Sequence, residues 1–324
     1  MVAMGRQSIA DPETPNKAAA GCFADIRTCV GCLHGCDANV NLEQSGTCEL
    51  NPIIGHESEA EYQTVMTDSP KNVLVIGAGP AGLEAAIGAA KRGHRVSVYD
   101  KDRWAGGKYR LASVPPCKGE LGAFIVWQMH ELKKLNVPVI LNTVVTKELV
   151  DSVKPDVIIA ATGTTPVVPR KIPGWDKDIV VLGTDVLSGK ANTGHNVVVI
   201  GGGHAGAETA NHIASYMKNV TIVELQEDIA MDEVDTPRNA LLADLEKNKV
   251  RVCASTSVSE IKDHSVVVSG KFNEEIECDT VVISIGHTPN TTLADELIQA
   301  GYDVRIIGDA VKVGLVGPAV RAGY

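Results

Sequence analysis

The stretch VLVIGAGPAGLEAAIGAAKRGHRVSVYD, residues 73–100, decides the fold. It begins with a wholly apolar run, which is typical of a parallel β-strand buried on both faces. A glycine-rich turn at 77–82 follows, then an alanine-rich segment that we predict to be helical from about 80 to 92. A second predicted strand at 95–99 is followed by Asp100. Strand, turn, helix and strand in this order predict a βαβ unit.

The same plan occurs a second time in VVVIGGGHAGAETANHIASYMKNVTIVE, residues 197–224, where we predict a helix over 207–216. The first glycine, the second glycine and the final acid each lie 124 positions after their counterparts. A later predicted strand at 156–160 also has a counterpart, at 279–283, an offset of 123. This register indicates two copies of one supersecondary unit. The predicted fold class is therefore α/β, with two Rossmann-like dinucleotide-binding domains.

Both glycine turns have the form G-x-G-x-x-G between a strand and a helix. In this fingerprint the first glycine permits a tight turn and the second lets the backbone approach a pyrophosphate. The third lets the helix pack closely on the strand, and an acid about 20 residues further on binds ribose hydroxyls. The candidate residues are Gly77, Gly79, Gly82 and Asp100 in the first unit, and Gly201, Gly203, Gly206 and Glu224 in the second.

The acid of the second unit indicates which nucleotide binds there. Glu224 is followed by the sequence LQED, which contains no Arg or Lys to neutralise a 2′-phosphate. A carboxylate at this position would repel that phosphate, so we expect the second unit to prefer NADH over NADPH.

A cysteine cluster precedes both units. Cys29, Cys32, Cys36 and Cys48 have the spacing C-x2-C-x3-C-x11-C. Four thiolates suit a tetrahedral zinc ion or a 4Fe–4S cluster. The asymmetric spacing favours iron–sulfur, and zinc is the alternative. Disulfide reductases with two such units carry a redox-active cysteine pair after the first acid or in the second unit, and neither pair occurs here. Electrons from a redox cofactor at the glycine turns would therefore need another route.

The composition excludes several classes of function. The formal net charge of −10 argues against nucleic-acid binding, which needs a surplus of Lys and Arg. The sequence has no run of 18 apolar residues that would span a membrane, and residues 1–6 lack the profile of a secretory signal. We therefore expect a cytoplasmic protein.

Three segments carry a family resemblance: MGRQSIADP at 4–12, IRTCVGC at 26–32 and CELNP at 48–52. With both glycine turns, they resemble the family of 2,4-dienoyl-CoA reductase, enoate reductase and trimethylamine dehydrogenase. In that family an FMN-binding TIM barrel is followed by a 4Fe–4S cluster and by an FAD or ADP domain with a nucleotide domain inserted. The resemblance implies FAD at the first glycine turn, NADH at the second and a cluster at the four cysteines.

The resemblance also implies a second contact with FAD. The segment VRIIGDA at 304–310 is similar to the family's second FAD fingerprint, in which Gly308 and Asp309 complete the first site. The alternative for Asp309 is an ordinary helix N-cap. Lys108 replaces the Gln that the family carries after the Gly-Gly pair. The predicted domains are a barrel remnant and iron–sulfur segment at 1–66, an FAD domain at 67–190 and 281–324, and an NAD(H) domain at 191–280.

The resemblance does not extend to the TIM barrel, which needs about 250 residues. Only the first dozen residues resemble its end, where Arg6 matches an arginine that contacts the FMN phosphate. We therefore expect a fragment of a longer enzyme or a partner of a separate barrel subunit, and a homo-oligomer is compatible with the sequence. The predicted function is electron transfer from NADH to FAD to the 4Fe–4S cluster, and in a full-length enzyme to FMN and an enoate or dienoyl C=C bond.

Two other functions remain open. One is an NAD(P)H electron donor like the small subunit of glutamate synthase. The other is a module without redox function that binds ADP and zinc. The sequence identifies no catalytic acid or base.

Overall fold

The computed structural model describes residues 2–324, which form two compact units. The first unit contains the described part of Met1–Arg110 together with Glu120–Thr165 and Pro289–Tyr324. The second contains Leu111–Gly119 and Pro166–Thr288. The second unit therefore interrupts the first along the chain.

The strands fall into four sheets. They are β1 (Asn72–Ile76), β2 (Arg95–Tyr99), β3 (Val139–Ile140), β4 (Val157–Ala160), β5 (Thr164–Pro166), β6 (Val180–Leu182), β7 (Asn196–Ile200), β8 (Asn219–Val223), β9 (Arg251–Cys253), β10 (Thr256–Ile261), β11 (Ser265–Gly270), β12 (Glu274–Glu277), β13 (Thr280–Ile283), β14 (His287–Pro289) and β15 (Val304–Ile306).

The α-helices are mostly short. They are α1 (Arg6–Ala10), α2 (Thr14–Ala19), α3 (Asn39–Asn41), α4 (Pro80–Lys91), α5 (Gly107–Ala112), α6 (Gly122–Lys134), α7 (Lys147–Val153), α8 (Gly183–Leu187), α9 (His204–Ala214), α10 (Asp235–Lys247), α11 (Thr292–Gln299) and α12 (Val316–Gly323). Single turns of 3-10 or π-helix lie at Phe23–Asp25, His34–Ala38, Ala60–Tyr62, Gly119–Leu121 and Gly308–Ala310. No helix of residues 2–324 is long and apolar enough to cross a membrane.

The first unit contains a parallel sheet with the strand order β15-β4-β1-β2-β3. Its central strand β1 has apolar side chains on both faces because successive residues point to opposite sides. Val73 and Val75 join one buried cluster with helices α4 and α6. Leu74 and Ile76 join another, on the side of helices α7 and α11. Burial on both faces explains the uninterrupted apolar run in the sequence.

The second unit repeats this arrangement in the parallel order β6-β13-β7-β8-β9. In strand β7, Val197 and Val199 pack with helix α9, whereas Val198 and Ile200 join a different cluster. That cluster includes side chains of the antiparallel sheet β10-β11-β12. The two predicted βαβ units are therefore both present, and the predicted fold class is confirmed.

The segment before strand β1 contains only short helices and loops among its described residues. Val30 and Leu50 are buried in the same cluster as strand β1, so this segment is part of the first unit's core. The short strands β5 and β14 pair with each other.

Candidate functional site

In the first loop two glycines are required by contacts within the protein. Gly77 has φ +108°, and a Cβ there would lie 2.2 Å from the carbonyl oxygen of Ala161. A Cβ on Gly82, in the first turn of helix α4, would lie 2.0 Å from the carbonyl oxygen of Gly77. No side chain fits either position, because such distances are far below van der Waals contact.

Gly79 differs from the other two glycines. Its φ is −77°, which any residue can adopt, and a Cβ there would meet no atom within 4 Å. It is the N-cap of helix α4, where backbone N–H groups lack partners within the helix. The open space above Gly79 is thus a cradle that suits a pyrophosphate at the helix N-terminus.

Asp100 binds the backbone of the first loop through its carboxylate. Its Oδ2 accepts a hydrogen bond of 2.6 Å from the Ala78 N–H, and its Oδ1 accepts one of 2.8 Å from the Asp102 N–H. Each carboxylate oxygen can accept a second hydrogen bond, so Asp100 can still bind ribose hydroxyls.

Gly308 and Asp309 lie at the same loop. A Cβ on Gly308 would be 2.8 Å from the Cβ of Ala81, the second residue of helix α4. Asp309 accepts a hydrogen bond of 3.2 Å from Gly314 N–H and forms an ion pair of 2.8 Å with Lys108. The N-cap of the next helix, α12, is Leu315, so Asp309 is not the helix N-cap that the sequence left open.

The second loop repeats the geometry of the first. Gly201 has φ +101°, and a Cβ there would lie 2.3 Å from the carbonyl oxygen of Ser284. A Cβ on Gly206 would lie 2.1 Å from the carbonyl oxygen of Gly201. Gly203, the N-cap of helix α9, has φ −58° and only ordinary contacts, the nearest being 3.5 Å from Asp232 Oδ2. Both loops therefore need two glycines for the fold, and both leave the middle glycine open.

Glu224 has the same role in the second loop as Asp100 in the first. Its Oε2 accepts a hydrogen bond of 2.5 Å from Gly202 N–H, and its Oε1 accepts one of 2.8 Å from Gln226 N–H. The sequence-predicted residues of each unit are thus brought together in that unit.

The pair His204–Asp232 at the second loop was not predicted. The N–H of His204 donates to Asp232 Oδ1 at 2.7 Å, and its Nδ1 lies 2.6 Å from Asp232 Oδ2. Burial lowers the pKa of His204, but the hydrogen bond and charge of Asp232 outweigh it and raise the pKa overall. The same hydrogen bond lowers the pKa of Asp232 to about 2. The glycine pattern marks the loop, but nothing in the acid-rich segment after Glu224 distinguishes Asp232.

The four cysteines of the cluster line one cavity in the first unit, together with Arg6. The cavity has an empty volume of about 340 Å³, part of it open to solvent. Left-handed residues at Gly31 (φ +66°) and Leu33 (φ +64°) turn the chain between the first cysteines. The Thr47 N–H donates to the Gly35 carbonyl oxygen at 2.8 Å, which brings the segment before Cys48 beside the others.

The cavity is not a preformed metal centre. Among residues 2–324, no three His, Cys, Asp or Glu side chains are arranged so that they could hold a metal ion. Burial raises the pKa of Cys36 and of Cys48, with the neighbouring Cys32 adding to the effect. A metal would have to displace these protons. Four cysteines around one cavity are a suitable donor set for a metal. Their sulfur atoms would have to move to coordinate it.

Comparison with known proteins identifies the family. The model of the pyridine nucleotide-disulphide oxidoreductase family matches residues 71–309, which is more than half of the chain. The chain belongs to the pyridine nucleotide-disulphide oxidoreductase family. Proteins of this family are flavin- and NAD(H)-dependent oxidoreductases, and this part of the prediction is confirmed. No disulfide links the cysteines of residues 2–324.

The chain spans about half the length of the curated relatives it matches. It is 39% identical over 334 residues to NADH oxidase from Thermoanaerobacter brockii, covering 100% of this chain and 50% of that protein. It is 36% identical to cinnamate reductase from Clostridium sporogenes, covering 100% and 49%. Among solved structures, the complex of 2-naphthoyl-CoA reductase with 2-naphthoyl-CoA is 33% identical with a TM-score of 0.95, covering 99% and 49%.

These matches confirm the family resemblance. The chain corresponds to the pyridine nucleotide-disulphide oxidoreductase portion of longer reductases, and its described residues contain no barrel. The assignment of FAD to the first loop, of NADH to the second and of a cluster to the cysteines remains a prediction, as do the functional limits of the domains.

Proposed function

We propose that the chain is an NADH-dependent flavoprotein module that carries electrons from NADH to FAD and on to a 4Fe–4S cluster. FAD would be held by the first glycine loop with Asp100 and Asp309, and NADH by the second with Glu224. The flavin supplies the hydride-accepting chemistry when bound, while the chain supplies position and electrostatics.

The observation that carries the proposal is the open middle glycine of each loop. Gly79 and Gly203 have ordinary φ angles and no steric need for glycine, yet each is the N-cap of a helix that follows a buried strand. A glycine that the fold does not need is explained by a ligand that approaches the backbone closely.

The preference for NADH rests on Glu224. Its carboxylate is fixed by two backbone N–H groups and has no Arg or Lys among the four residues that follow it. The fixed negative charge would bind a ribose 2′-hydroxyl and repel a 2′-phosphate.

Support for the cluster is the cavity that all four cysteines share, and the C-x2-C-x3-C-x11-C spacing. Cavity and spacing are also compatible with zinc, which would make the segment structural. An iron–sulfur cluster would give the flavin's electrons a way out that the missing cysteine pairs do not provide.

The organic substrate belongs to the proposal for the whole protein. The names cinnamate reductase and 2-naphthoyl-CoA reductase describe relatives that reduce unsaturated acids or thioesters. We infer an enoate- or dienoyl-type C=C substrate and an FMN barrel, in the same polypeptide or as a partner. The described N-terminal segment exposes large apolar side chains that such a partner could cover, namely Val2, Met4, Phe23, Val40, Leu42, Val65 and Met66.

Iron and acid-labile sulfide, measured together with the visible spectrum of anaerobically purified protein, test the proposal. We expect flavin bands and about four irons and four sulfides per chain, as a 4Fe–4S cluster requires. The substitution Cys36→Ser should abolish the iron and keep the flavin. Zinc in place of iron, with no flavin bands, would refute the electron-transfer function.

The matched controls are Cys22→Ser and Cys117→Ser. Both cysteines are exposed, and neither lines the cavity. Iron content should be unchanged in these variants; a loss of iron in them equal to that of Cys36→Ser would contradict the ligand assignment.

A further inference from the structure

Lys108 lies beside the first glycine loop without an assigned role. It is the second residue of helix α5, which begins at Gly107. A Cβ on Gly107 would be 3.5 Å from the Cα of Gly79, and the Gly106 N–H donates to the Ala78 carbonyl oxygen at 2.7 Å. The start of this helix is therefore fixed against the open part of the loop.

Asp309 reaches the same place from the other end of the first unit. Gly308 packs against Ala81 at the start of helix α4, and the Asp309 side chain is only 17% exposed. Its Oδ2 lies 2.8 Å from Lys108 Nζ, and its Oδ1 accepts the Gly314 N–H. Two residues that are 201 positions apart in the sequence thus place one cation and one anion at the cradle of Gly79.

The charges at this cradle require compensation. A dinucleotide pyrophosphate carries two negative charges, and the N-terminus of helix α4 offers only about half a positive charge. A largely buried Asp309 carboxylate nearby would repel the pyrophosphate if it stood alone. The Lys108 ammonium has three N–H donors, of which Asp309 takes one, so others remain for a ligand. The Lys108 side chain is 36% exposed, so these donors can reach a ligand that enters from solvent.

We propose that Lys108 is a ligand of the dinucleotide at the first loop: held by Asp309, its ammonium donates to the pyrophosphate and neutralises the carboxylate. The assignment rests on the proposed function, in which FAD occupies this loop. A neutral Gln at position 108 could donate a hydrogen bond but could not neutralise Asp309. The lysine therefore gives this chain a cofactor contact that differs from the one the sequence resemblance led us to expect.

The test is the equilibrium binding of FAD and of ADP to the flavin-free full chain, measured by titration calorimetry. Lys108→Met should weaken the binding of both ligands about tenfold or more, because a hydrogen bond to a charged group is lost and Asp309 is left unpaired. Lys108→Gln should fall between Lys108→Met and the wild type. The double variant Lys108→Met/Asp309→Asn should lose less affinity than the sum of the two single substitutions, because the two residues act as a pair.

The control variant is Lys147→Met. It removes an exposed lysine of helix α7 in the first unit, where Lys147 is paired with Asp151 of the same helix. Its affinity for FAD and ADP should equal that of the wild type. Circular dichroism and the melting temperature of each variant report whether it folds.

The outcomes separate this inference from the proposed function. A wild type that binds FAD and ADP, with a folded Lys108→Met variant that binds both equally well, would overturn the role of Lys108 alone. Weaker binding of FAD with unchanged binding of ADP would also overturn it, because the contact would then be to the flavin end. A wild type that binds neither ligand would overturn both.

Discussion

At the scale of the residue, the glycines of the first loop should respond to substitution in opposite ways. Gly82→Ala brings its Cβ to 2.0 Å from a backbone oxygen, so we expect the free energy of unfolding to fall by about 1–3 kcal/mol or more. Gly79→Ala meets nothing within 4 Å, so stability should be unchanged while FAD binding is lost. Urea denaturation and flavin content measure the two effects.

The second loop provides the matched comparison. Gly203→Ala should leave stability and flavin content unchanged and weaken NADH binding alone, because Gly203 is the open glycine of that loop. Loss of flavin from Gly203→Ala, or retention of flavin at full occupancy in Gly79→Ala, would reverse the assignment of the cofactors to the loops.

A buried carboxyl, Glu84, should make stability depend on pH. It lies in helix α4, and burial raises its pKa above the ordinary value of 4.5, although the Arg27 charge and the Gln128 hydrogen bond oppose this. Gln128 Nε2 donates to Glu84 at 2.8 Å, while its buried Oε1 has no hydrogen-bond partner. A protonated Glu84 could supply a donor to that oxygen.

The sign of the pH effect follows from the raised pKa. As pH rises above 4.5, Glu84 ionises in the unfolded chain but stays protonated in the folded chain. The folded state therefore loses stability until pH exceeds the higher pKa that Glu84 has in the folded chain. Glu84→Gln removes this loss, so its stability relative to wild type should increase with pH above 4.5. Urea denaturation between pH 4.5 and 8 measures it, with the exposed Glu61→Gln as control. A stability difference that does not change with pH would contradict a raised pKa.

The sequence predicted the glycines and acids of each loop because their spacing is a local pattern. It could not predict the ion pairs that complete the loops. Asp232 is 28 residues from His204, and Asp309 is 201 residues from Lys108. Only the folded chain brings such partners together. The sequence near Asp232 contains several other acids, and nothing in it indicates which of them pairs with His204.

At the scale of the element, the strands predicted in the two βαβ units agree closely with the observed ones, because turn signals mark where they begin and end. Strand β2 spans Arg95–Tyr99 as predicted, and helix α4 ends one residue before the predicted limit. Helix α9 begins at His204 and not at 207. The three extra residues are helical from the Gly203 N-cap onward, and the Asp232 carboxylate accepts the His204 N–H at this end.

Helix α12 should depend on a residue next to the cysteine cavity. Its N-cap, Leu315, offers no side-chain acceptor, but the buried Glu49 accepts the Gly317 N–H at 2.7 Å. Glu49→Ala leaves this N–H unsatisfied, so we expect a loss of about 1–3 kcal/mol in the free energy of unfolding. Glu49→Gln should lose less, because its amide oxygen can still accept.

Amide hydrogen exchange distinguishes this role from a general loss of stability. Protection of the Gly317 amide should decrease in Glu49→Ala, whereas Glu61→Ala, at an exposed position, should change neither exchange nor unfolding. Unchanged protection of Gly317 in Glu49→Ala would show that the bond does not hold the helix.

At the scale of the whole molecule, the repeat at 124 residues predicted two βαβ units, and the family matches bear out the α/β class. The antiparallel sheet β10-β11-β12 was not foreseen, because its strands are partly exposed and mix Ser, Glu and Val without a long apolar run. The four cysteines were predicted as a metal site, and they do line one cavity. Their spacing alone could not show how the sulfur atoms are arranged, and among residues 2–324 they do not form a metal-binding group.

The proposed electron path begins at NADH bound to the second loop. Anaerobic stopped-flow mixing of the flavin-loaded chain with NADH or NADPH, followed by absorbance of the oxidised flavin, tests it most directly. We predict rapid bleaching by NADH, much slower bleaching by NADPH, and a smaller difference between the two in Glu224→Gln, in which the charge that repels the 2′-phosphate is absent. Faster bleaching by NADPH than by NADH would contradict the role of Glu224, and no bleaching by either would contradict the electron path itself.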